Sequence, residues 1–586
     1  MVATSTITQR FLQMQARWSS RPILTRIQGY EAFNDEYAFE LEVLLNDEVD
    51  VHSILQSAVD ITIASPQDSG ARHVNGVIIA AEKKLDVHPP GFQYHLTIAP
   101  QFSLLKHTSD CRIFKNQSVL DIVKTLLSEH NINHIDTSRL SQSYPNIQYC
   151  TQFNESYYDF IKRILAEQGI SYYFQHAAGK HTMTFIDQPA SFPLLEKQFR
   201  VSQNQHLQAN QLSALRLKQH VLNDSHASSD YDYTKPLHDL RVTHTISKEN
   251  YTSLKNPLEL FHYPSGQHHT ADAERQLACQ QQYLSRENAS FITHGCNVKM
   301  KPAIRFTVDD PSRSVRTFAV ARVVHEASDF SQLPNYSADQ QHVQQYRNTV
   351  TCYPASLVLS PKPRLKPKMP GTQTATVVGD DSQVVNTDEY GRVKVLFHWQ
   401  QGRGSMSSRW VRVKQKLAGA RWGTLFIPRV GSEVIVGFIH NDPDRPIVIG
   451  QAYNAASQPP YPSDQPQLTG MKSQSFLQSD DAPINEIQFD DSPKQQVLKI
   501  HAGRDMETAV THDHVMHIGR SQIHTIKQGH VAEDIKGDNR IEANQGIRFE
   551  CGDSHLCMNA KGITLNGPLI NINPGAPPPV THPSFW

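Results

Sequence analysis

The chain lacks any apolar run of the length a membrane helix needs, about 20 residues, so nothing in it reads as a membrane span. It also lacks a surplus of either charge: 56 Lys and Arg stand against 57 Asp and Glu, for a net charge of −1. Without a basic field it has no standing electrostatic hold on nucleic acid or on an anionic membrane. Cysteine is scarce. The seven are scattered and never spaced CxxC, which reads as reduced thiols rather than a disulfide framework. The first twenty residues, MVATSTITQRFLQMQARWSS, lack the basic-then-apolar pattern of a cleavable signal. Catalytic signatures are missing too: there is no HExxH, GxSxG, P-loop or GxGxxG. His325-Glu326 is followed by Ala-Ser-Asp and cannot complete a zinc pair, and Gly402-Arg-Gly-Ser405 lies between strands rather than before a helix, so it is no phosphate cradle.

Apolar residues make up only 38% and charged residues 19%, against about 25% charged in ordinary domains. Gln, Asn, Ser, Thr and 30 His fill the difference. That composition suits an elongated or oligomeric β-protein with much surface per residue. At about 100–200 residues per domain, 586 residues suggest roughly three to five domains.

Residues 1–105 read as a small barrel or sandwich, with strands at Tyr37–Leu45, Val77–Ala81 and Tyr94–Ile98 and a short helix at Val51–Leu55. Residues 106–190 change character. Val119, Ile122, Val123, Leu126 and Leu127 mark one helix face behind a Ser118/Asp121 capping box. A second helix carries Phe160, Ile161, Ile164 and Leu165, with Asn154 as N-cap and Gly169 past its end, before a strand at Ile170–Phe174. In 191–354 strands at Leu240–Ser247 and Phe318–Val324 and a weak helical pattern at Ala271–Ser285 suggest a second barrel. Residues 355–371 hold four prolines and four basic residues, a stiff linker.

Residues 372–455 predict short strands at Ala375–Val378, Val393–Phe397, Trp410–Val413, Gly423–Ile427, Val434–Ile439 and Ile447–Ile449, the pattern of a closed OB-type barrel. Residues 456–486 read as a polar connector. From 487 to 575 short β segments recur. Val515, Ile523 and Val531 are eight apart, and the pairs Leu556/Met558, Ile563/Leu565 and Ile570/Ile572 are seven apart. These spacings suggest strands winding around an axis, whose edges and inward faces only other copies of the chain can close.

The groups that could do chemistry have structural readings. Asp388-Glu389 and Asp442/Asp444 could be imagined as acid and base for glycan cleavage, but both flank turns, where Asp beside Gly or Pro is expected. The barrel's Phe397, Trp399, Trp410, Trp422 and Phe426, interleaved with Arg392, Arg409, Arg412, Arg421 and Arg429, fit either a stacking platform or core aromatics with interface arginines; the neutral net charge favours the second. His512 and His514 form an HxH, with His501, His517, His524 and His530 near in sequence. On a threefold axis six imidazoles would suit an octahedral metal, but these residues are read as outward polar groups, and no metal or cofactor is expected.

The stretch from Tyr149-Cys-Thr-Gln-Phe-Asn-Glu-Ser-Tyr-Tyr-Asp-Phe through Gly169-Ile-Ser-Tyr-Tyr-Phe resembles the VgrG family, the spike proteins of type VI secretion systems. So do Thr387–Trp399, Trp422–Val434 with Asp442–Ile447 and Tyr453-Asn454, and Glu550–Ser554 with Gly562–Pro568 through Asn573-Pro-Gly575. The segment Cys296–Asp310 matches only weakly. The resemblance implies a mainly β, multidomain homotrimer: two hub β-barrels (1–105, 191–354) with a helix-containing insertion (106–190), an OB-fold neck (372–455) and an intertwined C-terminal β-helix or β-prism needle (487–575). It implies an Hcp-type hexameric tube on the hub, a PAAR-repeat protein at the tip, baseplate contacts, and effectors or adaptors as cargo. Such a spike is assembled in the cytosol and leaves without a signal peptide, for the medium or a target cell, with no stable membrane insertion. Ile563, Leu565, Ile570 and Ile572 are the expected cap-binding surface, and Phe585 and Trp586 of the tail 576–586 a handle for adaptor or cargo. The alternatives are a phage-type baseplate spike and a specialised spike with its own enzymatic effector; only eleven residues follow Gly575, which speaks against the latter.

Overall fold

A computed structural model describes residues 10–19, 21–65, 70–84, 91–188, 192–196, 198–203, 207–221, 223–245, 258–266, 270–309, 315–331, 344–380, 382–400, 408–476 and 482–570. Gly402–Ser405, Ile572, Asn573–Gly575 and the tail with Phe585 and Trp586 lie outside these residues. The chain divides into two units, Met1–His501 and Ala502–Trp586.

In the first unit the regions expected to form two separate barrels share one 13-stranded sheet. Its first half runs in the order 12–16, 58–64, 71–83, 92–99, 38–45 and 23–32. The strand Arg316–Asp329 then joins it to the second half. Arg322–Ser328 pair with Arg26–Ala32, and the same strand also pairs with Arg305–Asp309 and Gln344–Pro354. At about 3.3 Å per residue, its 14 residues are long enough to serve both halves. The sequence suggested only Phe318–Val324, because the polar Arg322, His325 and Glu326 interrupt the apolar pattern. Two cores sit on this sheet. One gathers Ile27, Phe39, Ile61, Ile78, Leu96 and Ile98 with the two helices; the other gathers Phe199, Met300, Phe306, Val320 and Val350.

The first helix spans Val119–Glu129 and buries the expected stripe. Ser118 Oγ accepts from Asp121 N at 3.2 Å. The second spans Tyr157–Glu167, and its cap is Ser156 rather than Asn154: Ser156 Oγ accepts from Asp159 N at 3.0 Å. Asn154 sits two residues earlier with φ +47°, in the strand Ile147–Ser156. Gly169 follows at φ +70°, and an added Cβ there would lie 2.4 Å from Cys279 Sγ, so the turn has room for glycine only. A longer helix covers Thr270–Asn288.

Residues 372–378, 393–397, 409–413, 446–452 and 433–438 close a five-stranded barrel in that order. Its core is Val393, Val395, Phe397, Val411, Val434, Val436 and Val448. Gly423–Ile427, expected as a sixth strand, is not part of it. A small hairpin pairs Ala418–Gly419 with Trp422–Gly423 instead, and Trp422, Leu425 and Phe426 are 63–69% exposed. Leu425 and Phe426 face outward, while Ile427 packs against the barrel core. The stretch 456–486, read as a connector, contains the strand Leu468–Gln474. This pairs with Ile484–Asp490, which pairs in turn with Val497–His501.

In the second unit residues 503–546 are all exposed within the single chain. They form extended segments broken by bends at 503–504, 511–512, 519–520, 527–529, 536–537 and 544–545. The bends recur about every eight residues, the spacing seen in Val515, Ile523 and Val531. A three-stranded antiparallel sheet follows: Gly546–Cys551, Ser554–Asn559 and Gly562–Asn566. The pairs Leu556/Met558 and Ile563/Leu565 therefore belong to a meander folded within one chain, not to successive windings. The tight Ala560-Lys561 turn, with Lys561 N donating to Asn559 Oδ1 and Gly562 at φ +126°, reverses the chain there.

Candidate assembly surfaces and the neck junction

The neck barrel is fastened to the hub by charged groups that the sequence scattered over two hundred residues. A satellite sheet of Ser225–Ser228, Val242–Thr245 and Glu259–His262 leads into a loop bearing Asp230 and Tyr233. Arg445 of the neck donates both terminal nitrogens to Asp230, at 2.7 and 2.5 Å. Asp230 also accepts from Tyr231 N, Gly266 N and Ser265 Oγ, and its side chain is fully buried. Burial alone would raise its pKa, but Arg445 and the backbone donors outweigh burial and hold the carboxyl below its usual range. Tyr233 accepts from Arg392, and the Arg412 guanidinium lies over its ring at 4.4 Å.

A second set of contacts joins the neck to the helix-containing insertion and to the linker. Arg409, 4% exposed, donates to the carbonyls of Pro443 and Asp444 and stacks over Tyr149 at 4.5 Å. Lys366 of the linker bridges Asp442 and Asp444 at 3.3 and 2.9 Å. Burial disfavours its charge, but the two carboxylates outweigh that and raise its pKa. Arg364 reaches Asp159, Met369 N donates to Asn441 O, and Leu359 is buried. The proline-rich linker is therefore laid down along the hub and neck. The carboxylates weighed as acid and base have these duties: Asp442 and Asp444 neutralise Lys366, and Asp388 accepts from Tyr390 N, Arg392 N and Arg392 Nε.

The aromatics of the barrel divide. Phe397 is core, stacked on Trp399 with centroids 5.2 Å apart, and Trp399 Nε1 donates to Gln373. Trp422 and Phe426 stay exposed on the hairpin. Three of the five arginines expected at interfaces, 392, 409 and 412, turn back to the hub of their own chain. Arg429 donates to Gln474 O and lies over Phe476. The signal missed in the sequence was the partner half of this lock, Asp230 and Tyr233, which sit in an unpatterned loop.

Two apolar surfaces meet no covering element among the described residues. In the sheet 546–566, Ile547 pairs with Met558 and Met558 with Ile563, while Phe549 pairs with Leu556 and Leu556 with Leu565. Opposed residues share a face, so six apolar side chains line one side. Arg548, Cys557 and Thr564, then Glu550, His555 and Asn566, line the other. Phe549, Ile563 and Leu565 are 54, 70 and 51% exposed. The sheet 468–501 repeats the design, with Met471, Ile487 and Ile500 in one row and Phe489 and Leu498 in the next. Of the four expected tip residues, Ile563 and Leu565 thus belong to a shared apolar face. Ile570 lies beyond it, 46% exposed. His512 stands at a bend and His514 on the segment after it, neither in a strand. Among the described residues of one chain no three metal-ligating groups are gathered closely enough to hold an ion.

Comparison with known proteins reads the same three regions. Residues 30–331 match the phage tail baseplate hub (GPD) family, 373–453 the type VI secretion system/phage-baseplate injector OB domain, and 469–559 the bacteriophage T4 gp5 C-terminal trimerisation domain. The type VI secretion system spike protein VgrG1a of Pseudomonas aeruginosa is 29% identical over 94% of this chain and 90% of its own. VgrG1b of the same organism is 31% identical over 86% and 68%. The Vibrio cholerae actin cross-linking toxin VgrG1 is 27% identical over 86% of this chain but only 49% of its own. Among solved structures, the E. coli c3393 protein, a type VI secretion component similar to the T4 tail proteins gp27 and gp5, superposes with a TM-score of 0.54 at 18% identity, covering 75% of this chain and all of that one. A lidded Francisella PdpA-VgrG complex gives 0.53 at 12% identity, covering 82% and 76%. With hub, injector barrel and trimerisation segment matched in this order, and a spike relative 31% identical over 86% of this chain and 68% of its own, the chain belongs to the VgrG family of type VI secretion spike proteins.

Proposed function

We propose that the homotrimeric spike built from this chain seats on an Hcp-type hexameric tube through its hub, carries a PAAR-repeat protein at the needle end, punctures a target envelope and brings effectors with it. It contributes no enzymatic step of its own. It is assembled in the cytosol among baseplate components and exported as part of the spike. The observation that carries this reading is the second unit, whose apolar rows stay exposed with no covering element among the described residues. Such surfaces mark association sites, and three copies closing on one axis would bury them and leave no open strand edge.

The tip then works in two layers. Ile563 and Leu565 act inward, holding three sheets together, and Ile570 offers the cap its platform, together with Ile572, which lies outside the described residues. Phe585 and Trp586 serve as the cargo handle. Sizing purified protein by light scattering tests the base of this: three times 66.2 kDa is expected, and a stable monomer would sink it. Truncation before Gly562 should abolish capture of the PAAR-repeat partner; retained capture would move the cap site elsewhere. The toxin relative supports a second reading, in which the spike is itself an effector. Against it stand the neck carboxylates, which are spent on lysine and arginine. A hub of this kind also serves phage-type particles, and loss of Hcp secretion on deletion of this chain would separate the two settings.

A further inference from the structure

The neck barrel carries an arm that no described element covers. After the strand Arg409–Val413 the chain runs out through Ala418–Gly419, turns, and returns through Trp422–Gly423 to Ile427, which packs on the barrel core. The arm is a built element. Thr424 N donates to Leu417 O at 2.9 Å, and the Gln415 side chain clamps Phe426, accepting from its N–H at 3.1 Å and donating to its carbonyl at 3.2 Å. The Trp422 indole lies over Gly419, where an added Cβ would come within 2.2 Å of the ring. Gly419 opposes Trp422, and Leu417 stands two residues from Gly419, so Leu417 and Trp422 share one face.

Ordering such an arm costs backbone entropy, and little burial offsets it: Leu417, Trp422, Leu425 and Phe426 are all more than half exposed. Large apolar groups gathered in this way mark an association site, and Trp beside Arg is the composition of interface anchors. The arm also carries Lys414, Lys416 and Arg421 and no Asp or Glu. On the barrel 372–452 the exposed carboxylates among the described residues are Asp380 and Glu389, and neither they nor the three cations stand in an ion pair there. The barrel therefore holds unpaired surface charge of both signs, which two copies can match head to tail.

The arm runs directly into the trimerisation segment. Arg429, just past its end, donates to Gln474 O at 2.6 Å and lies over Phe476 at 5.0 Å. Gln474 ends the strand Leu468–Gln474, within the residues that match the trimerisation domain. Three copies joined there hold their neck barrels close, since only residues 453–468 lie between, and a short tether gives a high effective concentration. We propose that the arm 414–426 docks on the neck barrel of a neighbouring copy, with Leu417 and Trp422 as its apolar anchors, so that each barrel grips the next around the axis. This rests on the trimeric reading above and adds an interface in the neck to the one in the needle.

The test uses the full-length chain with Trp422 replaced by the photo-crosslinking residue p-benzoylphenylalanine, its mass read first by light scattering. Irradiation of the trimer should yield covalent dimers and trimers on a denaturing gel, joined to peptides from 373–453 of a second copy. Leu417→Asp, on the same exposed face, should keep the trimer, which the needle holds, but cut that yield on the order of tenfold or more. A monomer by light scattering would defeat the trimeric reading and this one with it. A trimer whose label stays in the single-chain band, or whose crosslinks fall outside the neck barrel, would overturn the docking alone, and so would an undiminished yield in Leu417→Asp.

Discussion

Asp230 and Arg445 show what one residue pair does in this protein. Their side chains are 0 and 10% exposed, and each holds the other's charge in place. A buried pair is worth little against an apolar substitute, but removing one member strands the other. Asp230→Ala should therefore destabilise the first unit by about 3 kcal/mol, read as a shift in the urea midpoint followed by tryptophan emission. A shift below about 0.5 kcal/mol, the size of a surface change, would show that solvent reaches Arg445 in solution. Gly169 is another position where a side chain meets a close neighbour. Alanine there meets Cys279 Sγ and an unfavourable φ together, and Gly169→Ala should lower the melting temperature, whereas Gly179→Ala, at φ +73° but with open space around it, should cost only the φ strain.

At the scale of elements, the needle segments are half-structures. Each three-stranded sheet satisfies its inner backbone but leaves one apolar face exposed, and the extended residues 503–545 pair with no strand among the described residues. A ring of three carboxylates on that face would not be tolerated. If Ile523, 85% exposed in the single chain, turns inward in the trimer, Ile523→Asp buries three like charges. The expected result is loss of the trimer on sizing, or a trimer that melts at much lower temperature. An unchanged, heat-stable trimer would put Ile523 on the outer surface. Leu565→Asp makes the same test in the sheet near the tip and separates inward packing from cap binding, since only the former alters mass without any partner present.

For the whole molecule, the continuous sheet of the first unit encloses ionisable groups that set its response to acid. His325 is buried on Arg316–Asp329, its Nδ1 2.7 Å from Tyr346 Oη, near the buried Glu31–Arg72 pair. Burial, then Arg72, bring it down to about 3, with Glu31 partly opposing. His181 falls to about 4 and His176 well below its ordinary value, both mainly by burial. In the unfolded chain these rings take up a proton near pH 6.5; in the folded one they stay neutral. Their contribution is thus whole above pH 6.5 and is lost as pH falls toward their folded values, at about 1.4 kcal/mol per pH unit for each ring that titrates. Urea midpoints should be flat from pH 8 to 7 and drop between 6.5 and 4.5, ahead of most carboxylates. A flat midpoint across that lower window would mean that the three rings are not held neutral.

The division of labour between sequence and tertiary structure follows from the range of the forces. The helix stripe 119–127, the Ser118 cap, the barrel strands at 393–397 and 433–438 and the eight-residue rhythm of the needle were legible because each rests on residues within a few positions of one another. The same locality misplaced the cap to Asn154, counted Gly423–Ile427 as a strand and overlooked Leu468–Gln474, since a local pattern does not tell which side of a strand meets a core. The joining of two hub halves through Arg316–Asp329, the Asp230–Arg445 lock and the neutral buried histidines were decided only by tertiary structure. Each depends on groups dozens to hundreds of residues apart being driven from water together, and composition carries no trace of which charge will meet which. The needle goes one step further: its strands and its apolar rows are written in one chain, but the core they form belongs to three.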